Sequence, residues 1–164
     1  MIERREKIYG KQSVDRLDEA SQHSIEGARA ALESFYYSFN EGSIEVFRKV
    51  WLDDPLIRLN NPLGGIVEGL NRVSEVYDRI FNGRASVWVE LYDIVEYRLG
   101  DSAVVFVGRE RGDFTKDGQR VELDIRTSRV FGYQDGRWAQ VHHHGSITDT
   151  EVLDLYRRAV TGQG

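Results

Sequence analysis

The sequence predicts an α+β fold in which helices cover one face of a strongly bent antiparallel sheet. Apolar residues recur every three or four positions through most of the first half, the spacing of helices packed by one face. Across residues 86–148 the period drops to two, over four long runs rich in Val, Ile, Tyr, Phe and Trp. The pairs Gly100-Asp101, Asp117-Gly118 and Asp135-Gly136 separate those runs and suit tight hairpins, so consecutive strands should pair antiparallel. Helices bunched ahead of such a meander can cover only one of its faces.

Residues 1–23 are charge-rich and too poor in apolar residues for a core face; they read as a flexible or loosely docked arm, partly helical near Val14. A single domain is expected over 24–160. Ile25, Ala28, Leu32, Phe35, Tyr36 and Phe39 form the stripe of a first helix that opens after Ser24 and stops at Asn40-Glu41-Gly42. Ser43 is placed to cap a short second helix carrying Ile44, Phe47, Val50 and Trp51, stopped by Asp53-Asp54-Pro55. A short strand over 56–59, a turn-rich stretch and an extended 66–68 follow. Leu70, Val73, Val76, Tyr77, Ile80 and Phe81 then mark a third helix. The long strands run over 86–98, 102–114, 120–133 and 137–148. Val152, Leu153, Tyr156 and Val160 place a last helix over 149–160, capped by Thr148 or Asp149. Strands this long must twist, and a bent sheet around a helical hairpin makes a cone with a cavity at its wide end.

With 164 residues, 40% of them hydrophobic and 30% charged, the chain has material for one core and needs neither metal nor disulfide to hold it. The absence of cysteine excludes thiol catalysis, zinc–thiolate sites and disulfides. A net charge of −5 with mixed signs gives no basic stripe, which argues against nucleic acid as a partner. No run of a signal peptide or membrane span is visible, so a cytoplasmic protein without a membrane partner is expected. No nucleotide loop, haem motif or nucleophile motif stands out, so no cofactor is expected. Three Trp, eight Tyr and seven Phe can wall an apolar cavity as well as fill a core.

Four stretches carry a family resemblance. Asn61-Pro62-Leu63-Gly64-Gly65-Ile66-Val67-Glu68-Gly69 resembles the segment before the third helix in the association domain of calcium/calmodulin-dependent kinase. Thr127-Ser128-Arg129-Val130-Phe131, Asp135-Gly136-Arg137-Trp138 and then Val141-His142-His143-His144-Gly145-Ser146 resemble that domain's final hairpin in order and spacing. The chain is thus similar, over about residues 24–148, to the nuclear transport factor 2-like superfamily and its SnoaL-like branch. The resemblance implies a cystatin-like cone. It also implies a pocket for small anionic groups, with Arg109 and Arg129 at the positions of two pocket arginines. A third family arginine is replaced by Gly145, which implies a less cationic pocket.

Strand parity bears on the same residues. Arg129 shares a face with Val121, Leu123, Ile125 and Phe131, and no acid within 121–133 shares it. That favours a ligand or a water-filled pocket over an internal ion pair, provided no bulge switches the parity. On the neighbouring strand Val105, Val107, Arg109 and Arg111 alternate with Val104, Phe106, Gly108 and Glu110, and both faces hold apolar residues. His143 shares a face with Ala139 and Val141, the side expected to look into the cone, whereas His142 and His144 share the outer face with Trp138 and Gln140. His143 is therefore the candidate general acid or base, with a packing role as the plainer alternative. No ligand spacing accompanies the three histidines, so no metal site is expected.

Tyr36 and Trp51 are candidate pocket walls, though aromatics at helical spacing usually pack. Asn60, Arg58 and Tyr97 are candidate rim residues, and Asp93 and Glu110 candidate proton-transfer acids. Three functions fit these residues. One is a binding module for a small polar or carboxylate ligand held by Arg109 and Arg129. Another is a cofactor-free cyclase, isomerase or hydratase using His143 or Glu110. The last is a structural dimerisation domain. A homodimer through the outer sheet face is expected from Trp88, Tyr92, Trp138, His142 and His144.

Overall fold

A computed structural model describes residues 1–161, and helix ends fall where the capping chemistry puts them. Helix α1 (Ile25–Glu41) opens with the Ser24 hydroxyl accepting from the Gly27 N–H and closes on Gly42, which takes the left-handed φ of 66°. Ser43 caps α2 (Ile44–Val50) through the Val46 N–H. Helix α3 spans Leu70–Phe81. Asp149 Oδ1 accepts from the N–H groups of Glu151 and Val152 at the start of α4 (Thr150–Thr161).

Four long strands, β4 (Ser86–Arg98), β5 (Ala103–Lys116), β6 (Gln119–Gln134) and β7 (Arg137–Ile147), follow α3 as a consecutive antiparallel meander. Three short strands, β1 (Ile2–Arg5), β2 (Arg58–Asn60) and β3 (Val67–Glu68), complete a seven-stranded sheet in the order β1-β4-β5-β6-β7-β2-β3. β2 lies parallel to β7, with Leu59 opposite His143. The sheet curls around α1 without closing, and its concave face buries Phe106, Phe131 and Trp138 against Leu32, Phe35 and Phe47.

Two bulges set which side chains face the core. On β4 the register slips between Tyr92 and Val95, where Asp93 takes a φ of 50°. On β7, Val130 faces His142 while Phe131 faces Gln140, so Val141 is the extra residue. The second bulge corrects the parity expected for this strand: Trp138 and Gln140 turn inward with His143, and only His142 and His144 stay outside.

Residues 1–21 pack more tightly than a loosely docked arm would. β1 extends the sheet beside β4, Tyr9 is buried against Tyr36, and Leu17–Ser21 form a 3₁₀ turn against α1. Charge, more than apolar area, holds the segment down. Lys7 and Arg16 both reach the Glu33 carboxylate, at 2.7 and 2.9 Å, and Glu3 bonds Arg98, which shares the buried Glu96 with Arg29. Burial pulls the Glu33 pKa up, but the bonds from Lys7 and Arg16 outweigh it and leave it below its usual range. Glu33→Gln should therefore loosen the segment, with amide exchange at Tyr9 and in β1 about tenfold faster at pH 7 by hydrogen–deuterium exchange. Unchanged exchange would mean that the ion pairs contribute nothing to docking.

Candidate functional site

Arg129 stands on the concave face of β6 with 2% of its surface exposed. Glu110, 3% exposed, faces inward from β5 opposite Ile125, and the inward position between them on β5 is Gly108, which has no side chain to intervene. Arg129 Nη2 reaches Glu110 Oε1 at 2.8 Å, Nε donates to the Tyr36 hydroxyl at 3.0 Å, and Nη1 donates to Gln140 Oε1 at 3.1 Å. Tyr36 in turn donates to the same Glu110 oxygen at 2.5 Å. The guanidinium also lies 3.6 Å from the centre of the Phe35 ring. Burial works against the charge on Arg129, but Tyr36, Glu110 and Tyr77 outweigh it and hold the group protonated. Burial likewise lifts the Tyr36 phenol far above its usual pKa, so it stays a neutral donor.

His143 sits beside this cluster on β7. Its Nε2 lies 3.0 Å from Thr127 Oγ1 and its Nδ1 3.4 Å from the Tyr77 hydroxyl. Thr127 Oγ1 also donates to the His144 carbonyl, so the set closes with Nε2–H donating to Thr127 and Nδ1 accepting from Tyr77. Burial, then the nearby Arg129 charge, pushes the imidazole well below its usual pKa. Glu110, Arg129 and His143 line one cavity with Phe39, Ile80, Val89, Ile125, Asn61, Pro62, Tyr77 and Tyr156. The space is about 30 Å³, room for roughly one water. Larger clefts lie on the surface, near His23 and Arg98 and between the ends of α3 and α4, but neither gathers buried ionised groups.

The match of SnoaL-like domain to residues 28–150 decides the family. The chain belongs to the SnoaL-like domain family. A curated relative, the F-box protein SKIP8 of Arabidopsis thaliana, is 22% identical over 113 residues, covering 69% of this chain but only 46% of the relative. Among solved structures, a nuclear transport factor 2-like superfamily protein from Salmonella enterica superposes with a TM-score of 0.68 at 18% identity, over 77% of this chain and 92% of that one. The CaMKII hub homology domain of Chlamydomonas reinhardtii gives 0.61 at 21% identity, over 77% and 100%. At these identities the structural likenesses establish the SnoaL-like cone and no activity. No helix among the described residues is long and apolar enough to cross a membrane.

Within this SnoaL-like frame the expected site residues separate. Glu110, Arg129 and His143 line the cavity, and Tyr36 stands behind them as a donor. Arg109 does not join them. Inward Phe106, Gly108 and Glu110 turn it to the convex face, where its side chain is 52% exposed and 3.8 Å from Asp124. Trp51 is sealed in the core beside Phe47 rather than in a pocket wall. Asn60 is half-buried at the end of β2, while its neighbours Asn61 and Pro62 reach the cavity. Arg58 pairs with Glu68 on the surface, Tyr97 lies on the convex face, and Asp93 caps the β4 bulge beside Arg4. Sequence reasoning missed Gln140, hidden by the β7 bulge, and Thr127, Tyr77 and Tyr156. Helical periodicity put Tyr77 and Tyr156 inside without showing that they converge on His143 and Glu110.

Of the two readings of Arg129, the structure gives the internal ion pair, because the acid partner comes from the neighbouring strand and not from 121–133. Arg129→Ala would strand Glu110 in the interior and should cost about 3–5 kcal/mol in urea unfolding, whereas Arg109→Ala on the convex face should stay within about 0.5 kcal/mol. A small loss for Arg129→Ala would show that Glu110 needs no partner.

His143 ties stability to pH. The folded imidazole resists protonation below 6.5, the ordinary histidine value, while the unfolded chain takes up the proton there. Its contribution is thus complete above the unfolded pKa and falls as pH drops towards the folded one. Between about pH 7.5 and pH 5.5 the urea midpoint should decline, and His143→Gln should flatten that decline. Equal slopes for the two proteins would place His143 outside the titration.

Proposed function

We propose that this chain is a small-molecule-binding module whose site is the cavity over Glu110, Arg129 and His143. The observation that carries this reading is the placement of the ion pair. A buried pair adds little stability over apolar residues of the same volume, yet here it lines a cavity beside a neutral histidine instead of being packed over. Cofactor-free proton transfer is less well supported, because both His143 nitrogens already have partners and, among the described residues, no carboxylate orients the ring.

A second reading, self-association through the convex face, has its own support. Ile2, Tyr97, Val105, Val130 and His142 stand opposite one another in register, a row crossing five strands, with Val95 and Val107 in the row beside it. Ile2 is largely exposed and the others are partly so. A half-covered apolar band on an open sheet face suits a second copy, and the oligomerisation implied by the hub homologue agrees with it. Trp138, expected in this surface, is inside, its indole N–H donating to the Gln22 carbonyl.

Native mass spectrometry of the chain purified from its own source addresses both readings. A dimer mass carrying a small adduct is expected, with Val89→Trp losing the adduct and Val105→Glu halving the mass while keeping it. A bare protein would count against the cavity, and a monomer at micromolar concentration against the dimer.

A further inference from the structure

We propose that the cavity selects a neutral hydroxyl compound with a small apolar body, bound by one O–H donor to Glu110 Oε2, and that it turns carboxylates away. This rests on the reading of the cavity as a small-molecule site and names what that site would take.

Arg129 and Glu110 cancel, His143 is neutral, and the Tyr36 and Tyr77 phenols hold their protons, so the walls carry no net charge. Each guanidinium nitrogen already donates within the protein, to Tyr36, Gln140 and Glu110. Three of the five guanidinium N–H groups are thereby taken, and a carboxylate entering here would lie next to the Glu110 charge, a desolvated like-charge contact.

On Glu110 the unmet need is for a donor. Tyr36 and Arg129 both bond Glu110 Oε1, and no hydrogen bond among the described residues reaches Oε2. Nor is Oε2 sealed among the buried polar atoms that lack partners. A hydroxyl meeting it would form a charge-assisted hydrogen bond without adding charge. The rest of the lining, Phe39, Ile80, Val89, Ile125 and Tyr156, asks for an apolar body. The present space fits about one water, so a ring must push aside Tyr156, which α4 places against Phe114.

The test pairs shapes and changes the headgroup: phenol with benzoate, cyclohexanol with cyclohexanecarboxylate, and toluene as an apolar control. Binding to the full chain is read by calorimetry and by the shift in melting temperature. Wild type should bind the two hydroxyl compounds, with the carboxylates and toluene at least about tenfold weaker. Glu110→Gln removes the cancelling charge beside Arg129 and should reverse the order, favouring benzoate over phenol. If that variant does not fold, the wild-type ranking decides alone, with Val89→Trp as the filled-cavity control that should bind none. Carboxylates binding as well as their hydroxyl partners would overturn the selectivity while leaving the cavity a binding site. Toluene matching phenol would remove Oε2 from recognition. No binding at all would sink the proposal, and the broader reading would still be judged separately by a co-purifying adduct.

Discussion

Arg129 brings a full charge and a fork of donors into the middle of the cone, and each wall around it answers one of them. Tyr36 comes from α1, Glu110 from β5 and Gln140 from β7, so one guanidinium fixes the helix against three adjacent strands. None of these elements can slide without leaving a buried charge or donor unpaired, and that penalty exceeds the cost of most local rearrangements. The aromatic packing is arranged on the same axis: Phe35 lies under the guanidinium, and its ring meets Tyr36 edge-on at 5.1 Å. Apolar contacts alone would tolerate several packings of α1 on the sheet, whereas this geometry admits one.

The architecture was legible from periodicity because a two-residue repeat over four long runs has few other solutions. The order of helices, the turns and the cap at Ser43 follow from local chemistry and fall where sequence reasoning puts them, and Asp149 is the one of its two candidates that caps the last helix. Local rules give out at the two bulges. Val141 is an ordinary β-branched residue with no mark of being unpaired, yet it reverses the facing of Trp138 and Gln140 relative to His143. Parity on β5 was undetermined for a different reason. Both of its faces hold apolar residues, and the burial of Val104, Phe106 and Glu110, the last paired with Arg129 across the strands, is what leaves Arg109 in water. A long-range ion pair leaves no trace in spacing along the chain.

The family match ends at residue 28 on one side and 150 on the other, and the chain departs from a bare cone in those flanks. Residues 1–21 add a strand beside β4 and cover charged positions on α1 that would otherwise face water, among them Arg29 and Glu33. Helix α4 adds Tyr156 to the cavity wall and buries Ala159 and Val160. Sparse apolar content in the first segment invited a reading as a loose arm, but hydrophobicity measures only one way of docking. Oppositely charged groups on the segment and on α1 bring it down with Tyr9 as the main apolar anchor.

Gly145 explains why this cavity differs from the arginine-lined pocket that the resemblance implies. A β-carbon built there would stand 3.2 Å from His143 Nε2, 3.3 Å from Pro62 Cδ and 3.4 Å from Ile125 Cγ2. These are close contacts for one atom, and the rest of an arginine would have to continue past His143 or through the loop at Pro62. The residues that close the wide end therefore occupy the room that a third arginine would need. Among the described residues Arg129 is the one arginine lining the cavity, and Glu110 cancels it. A pocket that binds anions needs positive charge left over after its internal pairs are made. Among the described lining residues Arg129 supplies that charge and Glu110 matches it, so no surplus is left.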